Sequence, residues 1–304
     1  MPFGHGGRPG GWAEATSASA EPDRVLASGV DGAGARPAAG LLVGAGRAVG
    51  EFVRQVLAVA EAEVRKLRHD PVELLTRAVQ PTLWLVGFGQ VMARVRAIPT
   101  GDLSYLDFMA PGVLAQSVLF IAIFYGISLI WERDLGVLHK YMVSPAYRGA
   151  LVTGKALSAG IRGLTQAIIV YLLAVAMGVR VRLTPVAVGG VLLSILMGAA
   201  IFSPLSLVVA CLVKSRERFM GIGQVLTMPL FFASNAIYPL SIMPRWLEWI
   251  SHVNPLTYQV DALRALMIQG GQAAIGLGTD FAVQAAVLVA LLWVAAWLYP
   301  GAVQ

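Results

Sequence analysis

The sequence is poor in charge and in cysteine, and both shortages restrict what the protein can be. Only 13% of its 304 residues are charged, while 57% are hydrophobic. An ordinary soluble domain carries about 25% charged residues, so this composition indicates an integral membrane protein. The single cysteine, Cys211, lies within an apolar run, and one cysteine excludes an intrachain disulfide.

Residue sets that perform catalysis are also missing. The four histidines are far apart in the sequence, which argues against a metal site, and neither a serine-nucleophile elbow nor a zinc-binding His-Glu-x-x-His is present. The stretch from Gly149 to Ala156 matches a phosphate-binding loop at all but its last position, where Ala156 replaces the Ser or Thr whose hydroxyl binds magnesium. We therefore expect no enzymatic activity and no cofactor on this chain.

Long apolar runs predict the fold. About 20 residues of helix cross the hydrocarbon core of a bilayer, and a segment in lipid must satisfy its own backbone groups, so such runs are helices. The sequence predicts an all-α membrane protein with six transmembrane helices in one domain, residues 46–304. The expected spans are residues 76–95, 108–130, 156–178, 185–213, 220–240 and 281–299.

The residues before the first span have a different composition. Residues 1–45 are rich in Gly, Ala, Pro and Ser, which predicts a disordered tail. In residues 49–68, apolar positions recur every three or four residues among charged ones. This spacing predicts an amphipathic helix in the plane of the membrane surface; a helix packed on a soluble partner is the alternative.

The basic residues indicate the orientation. With the N-terminus and the C-terminus both in the cytoplasm, most Lys and Arg residues fall on the cytoplasmic side, as the positive-inside rule requires. The lysines on that side are Lys66, Lys140, Lys155 and Lys214. We expect a multi-pass protein of the plasma membrane, and the clustering of basic residues in particular loops argues against nucleic-acid binding.

The segment between the second and third spans carries charges of both signs around a short apolar face. That face consists of Val137, Leu138, Tyr141 and Met142. Pro145 disfavours helix at Ser144 and ends the segment. Such a helix can seat in a groove of a soluble protein; a solvated loop helix without a partner is the alternative.

Two stretches resemble a known family. Residues 132–138 (ERDLGVL), followed by Ser144-Pro145, resemble the cytoplasmic loop of ABC-2 type exporter permeases, particularly the daunorubicin-resistance-like group. Residues 254–264 (NPLTYQVDALR) resemble that group's sequence before the last span. The resemblance covers roughly residues 70–300, and the N-terminal tail departs from the family pattern.

The resemblance implies a permease subunit that pairs with a second permease chain, identical or paralogous. It also implies two copies of an ABC ATPase subunit, which would bind ATP and magnesium. The loop helix would then be the coupling helix that contacts the ATPase. Its residues are Glu132, Arg133, Asp134, Gly136, Val137, Leu138, Tyr141, Met142, Ser144 and Pro145. A second cytoplasmic contact is expected at Lys214, Arg216 and Arg218.

Short re-entrant helices between spans five and six, which cap the exit of the transport path, are also implied by the resemblance. The exit-cap residues are Trp246, Trp249, Asn254, Pro255, Tyr258, Asp261 and Arg264. Asn254 suits an N-cap and Pro255 a first helical residue, while Asp261 and Arg264 share a helix face.

Spans two and five carry polar and aromatic residues at helical spacing. These residues are Gln116, Phe120, Phe124, Gln224, Thr227, Phe231, Ser234 and Asn235. Such stripes line a path for an amphiphilic substrate or hold helices together by hydrogen bonds. We take them as the candidate substrate path.

No pair of acidic residues lies within the predicted spans, where proton-coupled carriers commonly keep them, so we expect the energy to come from a partner. The expected function is export of a hydrophobic or amphiphilic compound such as a drug, antibiotic, polyketide or lipid. Export of a polysaccharide or lipid-linked glycan is the nearest alternative. A membrane anchor or sensor that recruits a soluble partner is the alternative from another class.

Overall fold

The computed structural model describes residues 71–96, 98–127, 130–131, 148–213 and 215–298. Several predicted features lie outside these residues. They are the tail (1–45), the amphipathic helix (49–68), the coupling residues from Glu132 to Pro145, and Lys214.

Helices form most of the described part. In chain order they are α1 (Pro71–Thr82), a π-helical stretch (Leu83–Gly89), α2 (Gln90–Val95), α3 (Tyr105–Tyr125), α4 (Arg148–Ala176), α5 (Pro185–Leu212), α6 (Arg216–Phe232), α7 (Arg245–Val253), α8 (Pro255–Met267) and α9 (Leu277–Leu298). Extended pairing in the described ranges is limited to an isolated bridge between Val181 and Ile268. The predicted all-α class is confirmed for this part of the chain.

Within the described ranges, four stretches of helix are long and apolar enough to cross a membrane. They are Tyr105–Tyr125, Ala159–Ala176, Pro185–Leu212 and Leu277–Ala295. They coincide with the predicted second, third, fourth and sixth spans, with ends that differ by a few residues.

The predicted fifth span, residues 220–240, is wrong at its C-terminal end. Helix α6 ends at Phe232, and turns follow it. Pro229 lies in its last turn and has no N–H to donate. The Ser234 hydroxyl donates to the Phe231 carbonyl and accepts from the Ala236 N–H, so a side chain stabilises the turn in place of further helix.

Side-chain caps explain where several helices begin. Ser104, Thr184 and Ser215 each accept a hydrogen bond from the backbone N–H three residues later, which satisfies one of the free donors at a helix start. Asn254 accepts from the Leu256 N–H, and Pro255 is the first residue of α8. The predicted start of this helix is confirmed.

Helix α3 lies at the centre of the bundle and α9 at its periphery. In α3, 78% of the membrane-crossing window is buried by the other helices, against 11% in α9. A helix that is apolar all round and buried is a core helix. In α9 the buried positions lie along one stripe that includes Asp280, Gln284 and Ala295.

Gly112 allows the turn after α6 to approach α3 closely. A Cβ atom on Gly112 would lie 2.6 Å from the Ala236 carbonyl oxygen and 2.8 Å from the Ala236 Cα. Backbone atoms cannot move away as the end of a flexible side chain can. Because Gly112 has no side chain, the turn can pack directly against the backbone of α3 in the middle of the bundle.

We expect Gly112→Ala to destabilise the protein by about 1–3 kcal/mol, because the added methyl group overlaps this backbone. Thermal unfolding of the purified protein in detergent measures the change. Gly189→Ala in α5 is the matched control, since nothing lies within 4 Å of its Cβ position. An unchanged melting temperature for Gly112→Ala would contradict the packing described.

Candidate functional site

A cavity with charged walls lies between the start of α3, the turn after α6 and helix α8. Its volume is about 390 Å³, and its walls include Phe108, Asn235, Asp261 and Arg264 together with residues of loops 99–103 and 270–274. We call it the polar cavity. It brings together one residue of the predicted substrate path, Asn235, and two of the predicted exit cap.

Arg264 is buried and joins three parts of the chain. Its Nε donates to the Phe108 carbonyl at 3.3 Å, and its Nη2 donates to the Asn235 carbonyl at 2.7 Å. The guanidinium carbon also lies 3.8 Å from the centroid of the Phe108 ring. Burial lowers the pKa of Arg264 to about 10 while the charge of Asp261 opposes that shift, so the group keeps its charge at neutral pH.

Asp261 lies one turn from Arg264 on α8 but bonds to different partners. Its two carboxylate oxygens accept from the backbone N–H groups of Ala274 and Ile275, at 3.1 and 2.8 Å. The two side chains were predicted to share a helix face. The structure gives no direct bond between them: each side chain bonds to a separate backbone segment, which fixes α8 against its neighbours.

Asn254 supplies hydrogen bonds that α6 leaves unmade. Its Nδ2 donates to the carbonyls of Leu230 and Ala233, at 2.6 and 3.2 Å. These carbonyls belong to the end of α6, where four acceptors have no partner within the helix. The Tyr258 hydroxyl donates to the His252 carbonyl at 2.6 Å, which ties α8 back to α7.

The predicted exit cap thus divides into two groups. Asn254, Tyr258, Asp261 and Arg264 are buried. Trp246 and Trp249 are 65% and 75% exposed on the amphipathic helix α7. Exposed tryptophans on such a helix suit the headgroup zone of a membrane.

A second cavity, with aromatic walls, lies along the other half of α3. Its volume is about 300 Å³, and we call it the aromatic cavity. Its lining residues are Thr76, Gln80, Ser117, Phe120, Ile121, Phe124, Tyr125, Arg162 and Gln166. The rings of Phe120 and Phe124 stack with centroids 5.8 Å apart, and the Arg162 guanidinium carbon lies 5.1 Å from the centroid of Tyr125.

The two cavities lie in different halves of the bundle. Phe108 borders the polar cavity and Phe120 the aromatic cavity. Twelve helical residues separate these positions by about 18 Å. A molecule that crosses the bundle along α3 would pass both.

The predicted path residues do not form one stripe. Phe120 and Phe124 line the aromatic cavity, Asn235 lines the polar cavity, and Gln116 is buried on α3 between them. On α6, Thr227 and Phe231 are buried whereas Gln224 is exposed. Ser234 is buried in the turn that follows and bonds to the Phe231 carbonyl.

The prediction missed the α1 and α4 walls of the aromatic cavity, including Gln80, Arg162 and Gln166. One signal was available, because Arg162 is a charge within an apolar run. Ionisable residues inside spans commonly mark substrate pathways.

Two acids just outside the predicted spans are buried in the structure. Asp107 is 2% exposed in the first turn of α3, and Asp280 is fully buried in the first turn of α9. The predicted spans began one residue after each of them. Asp107 accepts from the Arg180 N–H at 2.9 Å and forms an ion pair with its side chain at 3.2 Å. Acids at helix starts are stabilised by the helix dipole.

A cation–π contact lies where the described part of the chain reaches the predicted coupling segment. The Arg216 guanidinium carbon is 3.6 Å from the centroid of the Trp131 ring. Trp131 directly precedes Glu132, and Arg216 is the first residue of α6. Nearby, Phe219 is fully buried and packs at Gly126, close to the end of α3. Arg218, which belongs with Arg216 to the predicted second cytoplasmic contact, is exposed.

A bundle of apolar helices with buried charges and open cavities between them is compatible with a polytopic membrane transporter. A family model described as "ABC-2 type transporter" matches residues 54–268. The chain belongs to this family, and it is a membrane permease subunit of an ABC transporter.

Several named proteins are similar to this chain. It is 27% identical to the transport permease ycf38 of Cyanophora paradoxa, over 71% of this chain and 74% of that protein. It is 26% identical to the daunorubicin resistance permease protein DrrB1 of Streptomyces coeruleorubidus, over 66% of this chain and 70% of that protein. It is 25% identical to the doxorubicin resistance permease protein DrrC of Mycobacterium tuberculosis, over 75% of this chain and 82% of that protein.

These findings confirm the predicted family. Its members are membrane subunits of transporters, and membership implies an ABC ATPase as a separate partner subunit.

We expect Arg264→Met to destabilise the protein by about 3–5 kcal/mol, the usual effect of breaking a buried charged contact. The substitution leaves Asp261 without its neighbouring cation and two carbonyls without donors. Thermal unfolding in detergent measures the loss. Arg245→Met is the control, because Arg245 is exposed and surface changes usually stay within about 0.5 kcal/mol. Equal melting temperatures for the two variants would contradict the role given to Arg264.

Proposed function

We propose that this chain is the permease subunit of an ATP-driven exporter of hydrophobic or amphiphilic compounds. The aromatic cavity carries this proposal. Its stacked Phe120 and Phe124 rings offer an apolar surface, while Gln80, Arg162 and Gln166 offer polar groups. Small-molecule sites combine a largely apolar wall with a few polar groups in this way, at volumes from about 300 Å³. Two similar proteins are named for daunorubicin and doxorubicin resistance, which supports a drug-like cargo.

The proposed architecture has six spans, with both termini in the cytoplasm of a plasma-membrane protein. The helical stretch from Pro71 to Val95 would be the first span, and α6 the fifth. Helices α7 and α8 would re-enter the outer leaflet and cap the exit. The exposed tryptophans of α7 and the short length of both helices support this arrangement.

The proposed energy source is a pair of ABC ATPase subunits, which bind ATP and magnesium, acting on a dimer of permease chains. The ATPase would contact the coupling residues from Glu132 to Pro145, with a second contact at Lys214, Arg216 and Arg218. The Trp131–Arg216 contact supports a mechanical connection from this region to α6. ATP binding would then favour one of two states of the bundle.

Export of a glycan or lipid-linked glycan is the second candidate. The polar cavity favours it, because Asn235, Asp261 and Arg264 offer both donors and acceptors to a hydroxylated cargo. The two candidates share the fold and differ in the polar part of the cargo.

Vesicles that contain this chain and its ATPase test the proposal. We expect ATP-dependent uptake of daunorubicin into inside-out vesicles. Glu132→Ala should reduce uptake at least about tenfold, which corresponds to 1.4 kcal/mol of lost coupling, while the amount of inserted protein stays unchanged. Glu248→Ala, which removes the same charge from α7, is the control and should transport normally.

Normal uptake by Glu132→Ala would remove the coupling assignment. A wild-type complex that binds the ATPase but moves no cargo, and whose ATP hydrolysis no cargo stimulates, would favour a membrane anchor instead.

The Trp131–Arg216 contact gives a second test. Trp131→Leu should lower the cargo moved per ATP hydrolysed severalfold, because a cation–π contact contributes about 0.5–2 kcal/mol. Trp131→Phe keeps an aromatic face and should restore much of this ratio. Both quantities are measured in the same vesicles. Equal ratios for the wild type and Trp131→Leu would show that the contact transmits nothing.

A further inference from the structure

Asn235 has a buried acceptor that no protein donor satisfies. The residue is 1% exposed in the turn after α6, and its Oδ1 has no hydrogen-bond partner. Its backbone carbonyl stabilises the fold, because it accepts a hydrogen bond from Arg264. The side-chain Oδ1 accepts no hydrogen bond from the protein. A buried acceptor without a donor lowers stability, so such an atom needs an explanation.

Asn254 shows what a structural asparagine does in the same region. Its Nδ2 donates to the Leu230 and Ala233 carbonyls, and its Oδ1 accepts from the Leu256 N–H. Both ends of that amide are used by the fold. The Oδ1 of Asn235 instead belongs to a residue that lines the polar cavity.

The polar cavity is large enough for a ligand and is rich in acceptors. Its volume of about 390 Å³ falls within the range of small-molecule sites. Asp261 lines it and retains acceptor capacity beyond the two backbone N–H groups it binds. Asp102, which is exposed, adds a second carboxylate. Arg264 uses two of its five N–H groups in bonds to backbone carbonyls.

A ligand that satisfies Asn235 must bring a hydrogen-bond donor. A phosphate or sulfate head brings only acceptors, so it would leave the Oδ1 of Asn235 without a donor. Hydroxyl and amino groups supply what Asn235 lacks. Phe108 and Leu240 provide apolar wall for the carbon frame of such a head.

We propose that the polar cavity binds the polar head of the exported amphiphile, and that this head carries hydroxyl or amino groups that donate to Asn235. This inference rests on the proposed function in taking the ligand to be cargo. It names the cargo class as an amphiphile with a donor-rich head. The aromatic cavity would hold the same molecule about 18 Å earlier along α3.

Photolabelling tests the site directly. The purified chain in phosphatidylcholine nanodiscs is irradiated with dodecyl glucoside that carries a diazirine on its sugar. The matched probe is dodecanol with a diazirine at its hydroxyl end. We expect the sugar probe to label residues 99–103 or 235–240 and the alcohol to label lipid-facing helices. Equal labelling of the cavity by both probes would overturn the proposal.

Two leucine variants separate binding from folding. Asn235→Leu should reduce cavity labelling about fivefold, the effect of one lost hydrogen bond, without lowering the melting temperature. Asn254→Leu should lower the melting temperature because it removes bonds that the fold uses. If Asn235→Leu unfolds as readily as Asn254→Leu, or labels like the wild type, the side chain of Asn235 is not a binding group.

Three competitors identify the source of the ligand. Unlabelled dodecyl glucoside should suppress the labelling, and dodecyl phosphate should not. Phosphatidylethanolamine, whose amine also donates, is added to the nanodiscs at the same mole fraction as the glucoside. Suppression by this lipid as strong as that by the glucoside would assign the cavity to membrane lipid and overturn the assignment to cargo.

This assay needs neither ATP nor the partner ATPase. A labelled cavity in a complex that shows no ATP-driven transport would contradict the proposed function alone. Transport without cavity labelling would contradict the binding site alone.

Discussion

The structure depends on satisfying backbone groups where helices end inside the bundle. Hydrocarbon offers no hydrogen bonds, so a helix that stops there needs partners from the protein. Helix α6 stops at Phe232, and Asn254 donates to two of its free carbonyls. Arg264 and Asp261 satisfy backbone groups on the segments around α8. These side chains fix α8 in place, and the polar cavity is the space left beside them.

The two ends of the bundle are held together differently, and this difference suits a transporter. At the α8 end, buried charges and amides join four segments. At the other end, α6 meets its neighbours through Phe219 and the Trp131–Arg216 contact. Apolar packing is non-directional, so it restrains movement less than a buried network of directional hydrogen bonds does. We infer that force from an ATPase would shift α6 near the coupling segment while the α8 end changes less.

The long apolar helices and the start of α8 at Pro255 were predictable from the sequence, because hydropathy and capping are local properties. The end of α6 was not, since the turn from Ala233 to Tyr238 carries no charge and so does not interrupt the uncharged run. The burial of Asp107 and Asp280 was missed because each acid marked the edge of an uncharged run. The aromatic cavity needs Gln80, Phe120 and Arg162 from three helices, and no local pattern brings these together.

Accessibility labelling shows on which side of the membrane the polar cavity and the coupling segment lie. In a Cys211→Ser background, His139→Cys and Asp102→Cys are each exposed to a membrane-impermeant maleimide added outside intact cells. We expect reaction at position 102 only, with position 139 reacting once the cells are permeabilised. Reaction at position 139 from outside would contradict this expectation, because a coupling segment on that side cannot meet a cytoplasmic ATPase.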